Sequence, residues 1–241
     1  MTEPAPPTAP PAPGPWQRAT VLATHPETAT ARTLRLGLTA PVPHLPGQHY
    51  LVRLVAPDGY AATRSYSVAS APDDSGEVEL TVELLPDGEV SAFLHDVLEV
   101  GDVLEVRGPI GGWLAWPGDT PALLVGGGSG VVPLMAMLRH ARRTGASDLI
   151  RMVVSVRTPE DLYYASELPG PEVTVVHTRR APPGDPRPPG HLRAADLPAI
   201  APGTTAYVCG SSGFADAASA LLVEAGMPVT AIRVERFGPT G

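Results

Sequence analysis

The stretch Val125-Gly126-Gly127-Gly128-Ser129-Gly130-Val131-Val132-Pro133 restricts what can surround it more than any other part of the chain. An apolar run, Ala122 to Val125, leads into it, and Leu134-Met135-Ala136-Met137-Leu138 leaves it as a helix would. Four glycines among residues 126 to 130 bare backbone amides and admit a close approach. Pro133 suits a first helical turn, where a missing N–H costs nothing. Strand, glycine turn and helix N-terminus in succession form an anion site, so the sequence places a ligand phosphate here. The turn is not a P-loop, because no Gly-Lys-Ser/Thr follows it. Nor is it a standard G-x-G-x-x-G, because Pro133 stands where the third glycine belongs.

The rhythm differs on the two sides of this turn. From Trp16 to about Val106 it is mostly period two, clearest in Glu77-Val78-Glu79-Leu80-Thr81-Val82-Glu83-Leu84, apolar inside and acidic outside. Short strands at 33–38, 49–55, 64–69 and 103–107, with one helix over 90–98, predict a small antiparallel barrel, a sandwich being the alternative. From Pro121 onward strands at 122–126, 149–156, 172–177, 205–209 and 229–234 alternate with helices at 133–143, 159–168 and 214–225 and a short one near 192–197. Continuous apolar strands with helical crossovers mean a parallel sheet covered on both faces. The expected division is a Pro-rich tail at 1–15, disordered by composition, a barrel domain at 16–117 and an α/β domain at 118–241. Residues 182–190, rich in proline and glycine, read as a stiff surface loop, and Trp113 reads as packing.

The strand after the turn ends in Ser155-Val156-Arg157, with no acidic residue placed for a ribose 2′-hydroxyl. Arg157, and Arg179 after the following strand, suit a 2′-phosphate; two solvated arginines are the plainer alternative. Arg139, Arg142 and Arg143, at i, i+3 and i+4 of the helix after the turn, read as a solvated face.

Five short motifs occur in a telling order: Arg64-Ser65-Tyr66-Ser67, Gly108-Pro109-Ile110-Gly111-Gly112, the 126–133 turn, Tyr207-Val208-Cys209-Gly210 and Glu235-Arg236-Phe237-Gly238-Pro239. Together they resemble the ferredoxin–NADP reductase superfamily of flavoenzymes, over everything but the Pro-rich tail. The resemblance implies a flavin-binding Greek-key antiparallel barrel followed by a parallel-sheet NAD(P)-binding domain. It implies FAD rather than FMN, and a hydride passed from NADPH, with NADH possible, to the flavin.

The resemblance also assigns roles. It implies that Arg64 pairs with a flavin phosphate, Tyr66 packs on the isoalloxazine and Ser67 bonds near N5. Gly88 and Ser91 resemble the family's pyrophosphate cradle, although a plain capping serine explains them nearly as well. Gly127, Gly128, Ser129 and Gly130 would hold the pyrophosphate of the nicotinamide cofactor, and Gly210 and Ser211 its nicotinamide side. Ser67, Cys209 and Glu235 resemble the trio that orients the ring without acting as nucleophiles, and Phe237 the aromatic that covers the flavin.

Bulk properties narrow the partners. A net charge of −8 argues against nucleic acid, and no apolar run approaches a membrane span. One cysteine excludes a Cys-ligated iron–sulfur centre, no histidine pair has metal-ligand spacing, and a reducing cytoplasm is the expected compartment. Without a fused ferredoxin domain, electrons would pass to a separate acceptor protein: ferredoxin, flavodoxin, an oxygenase component or a haem protein. A monomer is expected. The rival reading is a flavin-holding relay subunit that does not itself bind nicotinamide.

Overall fold

The computed structural model describes residues 14–237, so most of the Pro-rich tail and the Gly238-Pro239 end of the last motif lie outside the described residues. The first domain is a six-stranded antiparallel sheet of β1 (Gln17–Thr28), β2 (Ala31–Leu38), β3 (His49–Val55), β4 (Ala61–Ser67), β5 (Glu77–Glu83) and β6 (Val103–Ile110). Its order is β4-β3-β6-β1-β2-β5, and a single bridge, Val68 to Leu80, brings the two ends together into a barrel. The alternating positions drive this closure, with Leu34, Leu36, Val52, Val78, Leu80, Val82 and Val106 all buried in the barrel core. A short helix α1 (Glu89–Ala92), continued by a π turn over Phe93–Val97, adds Val90 and Leu94 to that core.

The second domain is a five-stranded parallel sheet of β7 (Ala122–Gly127), β8 (Ile150–Val156), β9 (Val173–His177), β10 (Thr205–Ser211) and β11 (Ile232–Phe237), in the order β11-β10-β7-β8-β9. Its strands alternate between two cores. Leu123, Val125, Val153, Val176, Ala206 and Val208 face α3 (Ser212–Glu224), whereas Leu124, Met152, Val154 and Cys209 face α2 (Val131–Thr144). Helix α2 is buried from Val131 through Leu138 because it has covers on both sides, the sheet on one and the barrel's Ala31, Ala69, Leu114 and Trp116 on the other. The junction is therefore a continuous apolar core shared by both domains.

Three expectations are corrected. The segment 159–168 forms only a 3-10 turn at Pro159–Asp161, because Leu162 is extended and Tyr164 takes a left-handed φ of 54°. The short helix near 192–197 is likewise a 3-10 turn at Ala194–Asp196. Trp113 is not packed but 65% exposed, while its neighbour Trp116 fills the shared core. The Pro-rich loop is pinned by Arg187, whose guanidinium holds both Asp196 oxygens (2.6 and 2.7 Å) and reaches the carbonyls of His191 and Pro188.

Candidate active site

Strand β4 lies at one end of the sheet order, and opposite β3 its other edge is free of ladder pairing among the described residues except at the Val68 bridge. Arg64 and Tyr66 share one face, Ser67 the other. Arg64 is exposed; its Nη1 bonds only the adjacent Thr63 carbonyl (2.8 Å), and it has no carboxylate partner among the described residues. A guanidinium with an unspent fork at an open strand edge fits a phosphate. Tyr66 leans on the barrel core, and burial pushes its hydroxyl up to about 12, so the ring is a neutral apolar platform. Ser67 is buried.

At α1 the sequence expectation needs amending. Ser91 is buried, donates to the Gly88 carbonyl (2.9 Å) and accepts from the Leu85 N–H (3.2 Å). Its hydroxyl is spent on its own turn, and a Cβ on Gly88 would lie 2.4 Å from it. What this turn offers a ligand is backbone N–H groups, with no side chain capping them.

The glycine turn divides by task. A Cβ on Gly130 would stand 2.1 Å from the Cys209 carbonyl oxygen, and one on Gly127 or Gly210 would stand 2.6 Å from the Phe214 ring. These glycines exist so that α2, the end of β10 and Phe214 can meet. Gly128 alone in the turn combines a left-handed φ of 57° with open space around it. Behind it the α2 N-terminus has no side-chain cap and no acidic residue in its first turn. That bare helix end beside open space fits the phosphates of a dinucleotide. Phe214, which sequence reasoning passed over, is signalled only by the two small-residue turns it separates.

Cys209 and Glu235 are register partners on the parallel strands β10 and β11, and Gly126 flanks Cys209 on β7. Burial, helped by the nearby Glu235 carboxylate, raises the Cys209 thiol well above its ordinary range, so it is neutral at physiological pH. Burial also pushes the Glu235 carboxyl up. Phe237 ends β11 opposite Ser211 and packs on the same core as Cys209. Ser211 is the α3 N-cap, accepting from Phe214 N–H at 3.4 Å.

Arg157 and Arg179 are exposed at the C-terminal ends of β8 and β9. Their backbones are joined by Arg179 N–H to Arg157 C=O (2.9 Å), and neither side chain has a partner among the described residues. The next arginine, Arg180, is paired with Glu160. The fold thus brings Gly127–Gly130, Cys209, Gly210 and Glu235 to the C-terminal edges of adjacent strands. It buries Ala69, two residues beyond Ser67, in the same core as Cys209. Arg157 and Arg179 extend that edge outward, and Gly88 and Ser91 belong to the barrel's own helix. Among the described residues, no helix is long and apolar enough to cross a membrane and no His/Cys/Asp/Glu cluster fits a metal.

An antiparallel barrel followed by a parallel sheet with a glycine turn at its strand ends is the two-domain architecture of a nicotinamide-dependent flavoprotein. Residues 19–114 match the family model of the oxidoreductase FAD-binding domain, and residues 124–220 that of the oxidoreductase NAD-binding domain. The chain is 32% identical over 235 residues to the ferredoxin–NAD(P)(+) reductase component of the naphthalene 1,2-dioxygenase/salicylate 5-hydroxylase systems of a Ralstonia species, covering 93% of this chain and 70% of that one. It is 34% identical over 211 residues to the glycine betaine monooxygenase reductase subunit of Chromohalobacter salexigens, covering 81% of this chain and 56% of that one. The crystal structure of the Amycolatopsis cytochrome P450 reductase GcoB superposes with a TM-score of 0.78 at 28% identity, covering 94% of this chain and 71% of that one. The chain belongs to the ferredoxin–NADP reductase superfamily and carries its FAD-binding and NAD(P)-binding oxidoreductase domains.

Proposed function

We infer that this chain oxidises NADPH, holds FAD in the barrel and hands electrons to a separate acceptor protein. The observation that carries the reading is the meeting of β10 and β11 ends with the glycine turn, in a core that also takes in the strand end just past Ser67. FAD supplies the hydride-accepting and electron-releasing chemistry when bound; the protein's part is to bind, orient and exclude water.

Arg64 and the α1 amides take the flavin's phosphates, and Tyr66 supports its ring. The Gly128 turn and the α2 N-terminus take the dinucleotide pyrophosphate. Arg157 and Arg179, both without a charge partner among the described residues, take the 2′-phosphate, which is what favours NADPH over NADH. Cys209 and Glu235 present a neutral thiol and a carboxyl of raised proton affinity to the nicotinamide, and Phe237 covers the flavin until the nicotinamide arrives. The raised proton affinity of the Cys209 thiol supports an orienting role, since a buried thiol is not a nucleophile at neutral pH.

The named relatives serve oxygenase systems, and an oxygenase component or its ferredoxin is the acceptor class proposed here. The test is anaerobic NADPH oxidation by the FAD-loaded chain with a panel of ferredoxin, flavodoxin, oxygenase component, haem protein and free flavin. Turnover that requires one protein acceptor supports the reading. A flavin that dithionite reduces and NADPH does not would replace it with the relay subunit.

A further inference from the structure

The outer face of β5 reads Glu77, Glu79, Thr81, Glu83, and only Thr81 breaks the acidic row. Thr81 and its cross-strand partner Thr33 are each 6% exposed, because the second domain lies over them. A closed ring of hydrogen bonds crosses the junction there. Thr33 Oγ1 meets Glu27 Oε1 at 2.6 Å, Thr81 Oγ1 meets Thr33 Oγ1 at 2.7 Å, and the Tyr164 hydroxyl meets Thr81 Oγ1 at 2.5 Å. The Tyr164 N–H returns to Glu27 Oε2 at 3.0 Å.

The proton directions follow from the donor inventory. A carboxylate only accepts, so Thr33 gives its proton to Glu27. Thr81 must then donate to Thr33, and Tyr164 to Thr81. Every donor in the ring points toward Glu27. To reach both ends of it, Tyr164 adopts the left-handed backbone that ended the expected helix.

Arg139 reinforces the same junction from α2. Its guanidinium lies 5.1 Å from the centre of the Tyr164 ring and bonds Glu79 Oε2 (2.7 Å), Glu167 and the Ala69 carbonyl (3.0 Å). Arg139 was expected on a solvated face; it is instead a bridge between domains. Arg143 reaches Asp73 of the barrel at 3.3 Å, and Arg142 holds Glu172 at 2.6 Å.

Both parts of the nucleotide site end in this junction. Helix α2 starts at the glycine turn, and the Tyr164 segment follows Arg157. On the barrel side, Ala69 is two residues past Ser67. The geometry points to Tyr164 and Arg139 as positioning residues for hydride transfer. They fix the glycine turn relative to the Ser67 strand, and so set how the nicotinamide meets the flavin without touching either. This rests on the function inferred above.

The test uses the full-length, FAD-loaded protein and saturating NADPH under anaerobic conditions, with rates expressed per bound flavin. Tyr164→Phe lowers the limiting rate of flavin reduction about tenfold or more and weakens the nicotinamide–flavin charge-transfer absorbance. FAD occupancy and the KM for NADPH stay within about twofold. Thr81→Val, which cuts the same link from the barrel side, repeats the loss, and Thr81→Ser, which keeps the hydroxyl, restores the rate. An unchanged limiting rate, or a loss that only tracks lost FAD, overturns the inference. A wild type that NADPH does not reduce overturns the functional reading as well, which separates the two failures.

Discussion

The α-carbon of Gly130 lies so close to the carbonyl of Cys209 that a Cβ there would stand 2.1 Å from the oxygen. This contact seats the glycine turn on the strand that carries the buried thiol, and it separates the turn's packed glycines from Gly128, which has open space around it. Gly130→Ala collides with the Cys209–Gly210 peptide of β10, so an overpacking cost of about 1–3 kcal/mol is expected. Gly128→Ala meets no atom and costs about 1–2 kcal/mol through its left-handed φ alone. Thermal unfolding and NADPH affinity, measured together, check this. Gly130→Ala loses stability most, whereas Gly128→Ala loses cofactor affinity out of proportion to stability. The opposite ranking would reverse the assignment.

Arg157 and Arg179 are exposed at adjacent strand ends, and neither side chain has a partner among the described residues. Arg157→Ala is expected to reduce kcat/KM for NADPH about tenfold while changing that for NADH much less, as loss of a charge-assisted phosphate contact should. Adding Arg179→Ala extends the shift. A constant NADPH/NADH ratio across the three proteins removes the arginines from cofactor choice.

The Cys209 thiol is fully buried and held neutral by desolvation beside Glu235. Iodoacetamide at neutral pH should therefore leave the native protein unlabelled and modify it only as denaturant exposes β10. Cys209→Ala should keep its FAD and lower the rate of flavin reduction by NADPH. Rapid labelling of the folded protein would contradict the burial on which the orienting role depends.

Burial lowers the imidazole proton affinity of His44 and His49. Each folded-state value lies below the unfolded one, so stability is complete above about pH 6.5 and declines as the unfolded chain takes up protons below it. Each such histidine contributes a slope of at most about 1.4 kcal/mol per pH unit in that window. Chemical denaturation between pH 7.5 and 5.5 should show falling stability, with a shallower slope in His49→Gln. A flat profile in the wild type would rule out burial of both rings as neutral groups.

Much of this was legible in the chain because backbone periodicity and glycine placement are local. The period-two rows gave the barrel, the apolar strands gave the parallel sheet, and Val125 to Pro133 located the glycine turn between β7 and α2. What stayed hidden lies where the domains meet. The apolar spacing after Arg157 resembles a helix, but Tyr164 gives up helical backbone for a hydrogen bond with Thr81, a residue far away in sequence. Arg139 at helical spacing resembles a solvated charge until Glu79 and Ala69 of the other domain are placed beside it. The only local trace of the junction is Thr81 standing in a row of glutamates. At Ser91 the residue type was informative and its use was not, since a serine two residues into a helix bonds equally well to a ligand or to its own turn.

Anaerobic titration tests most directly whether the two domains pass a hydride from nicotinamide to flavin. The purified chain is loaded with FAD and titrated with NADPH while the visible absorbance of oxidised flavin is followed. Bleaching that is complete near one equivalent of NADPH per bound FAD is the predicted result. A chain that takes up no flavin, or whose bound flavin stays oxidised in excess NADPH, would contradict the account.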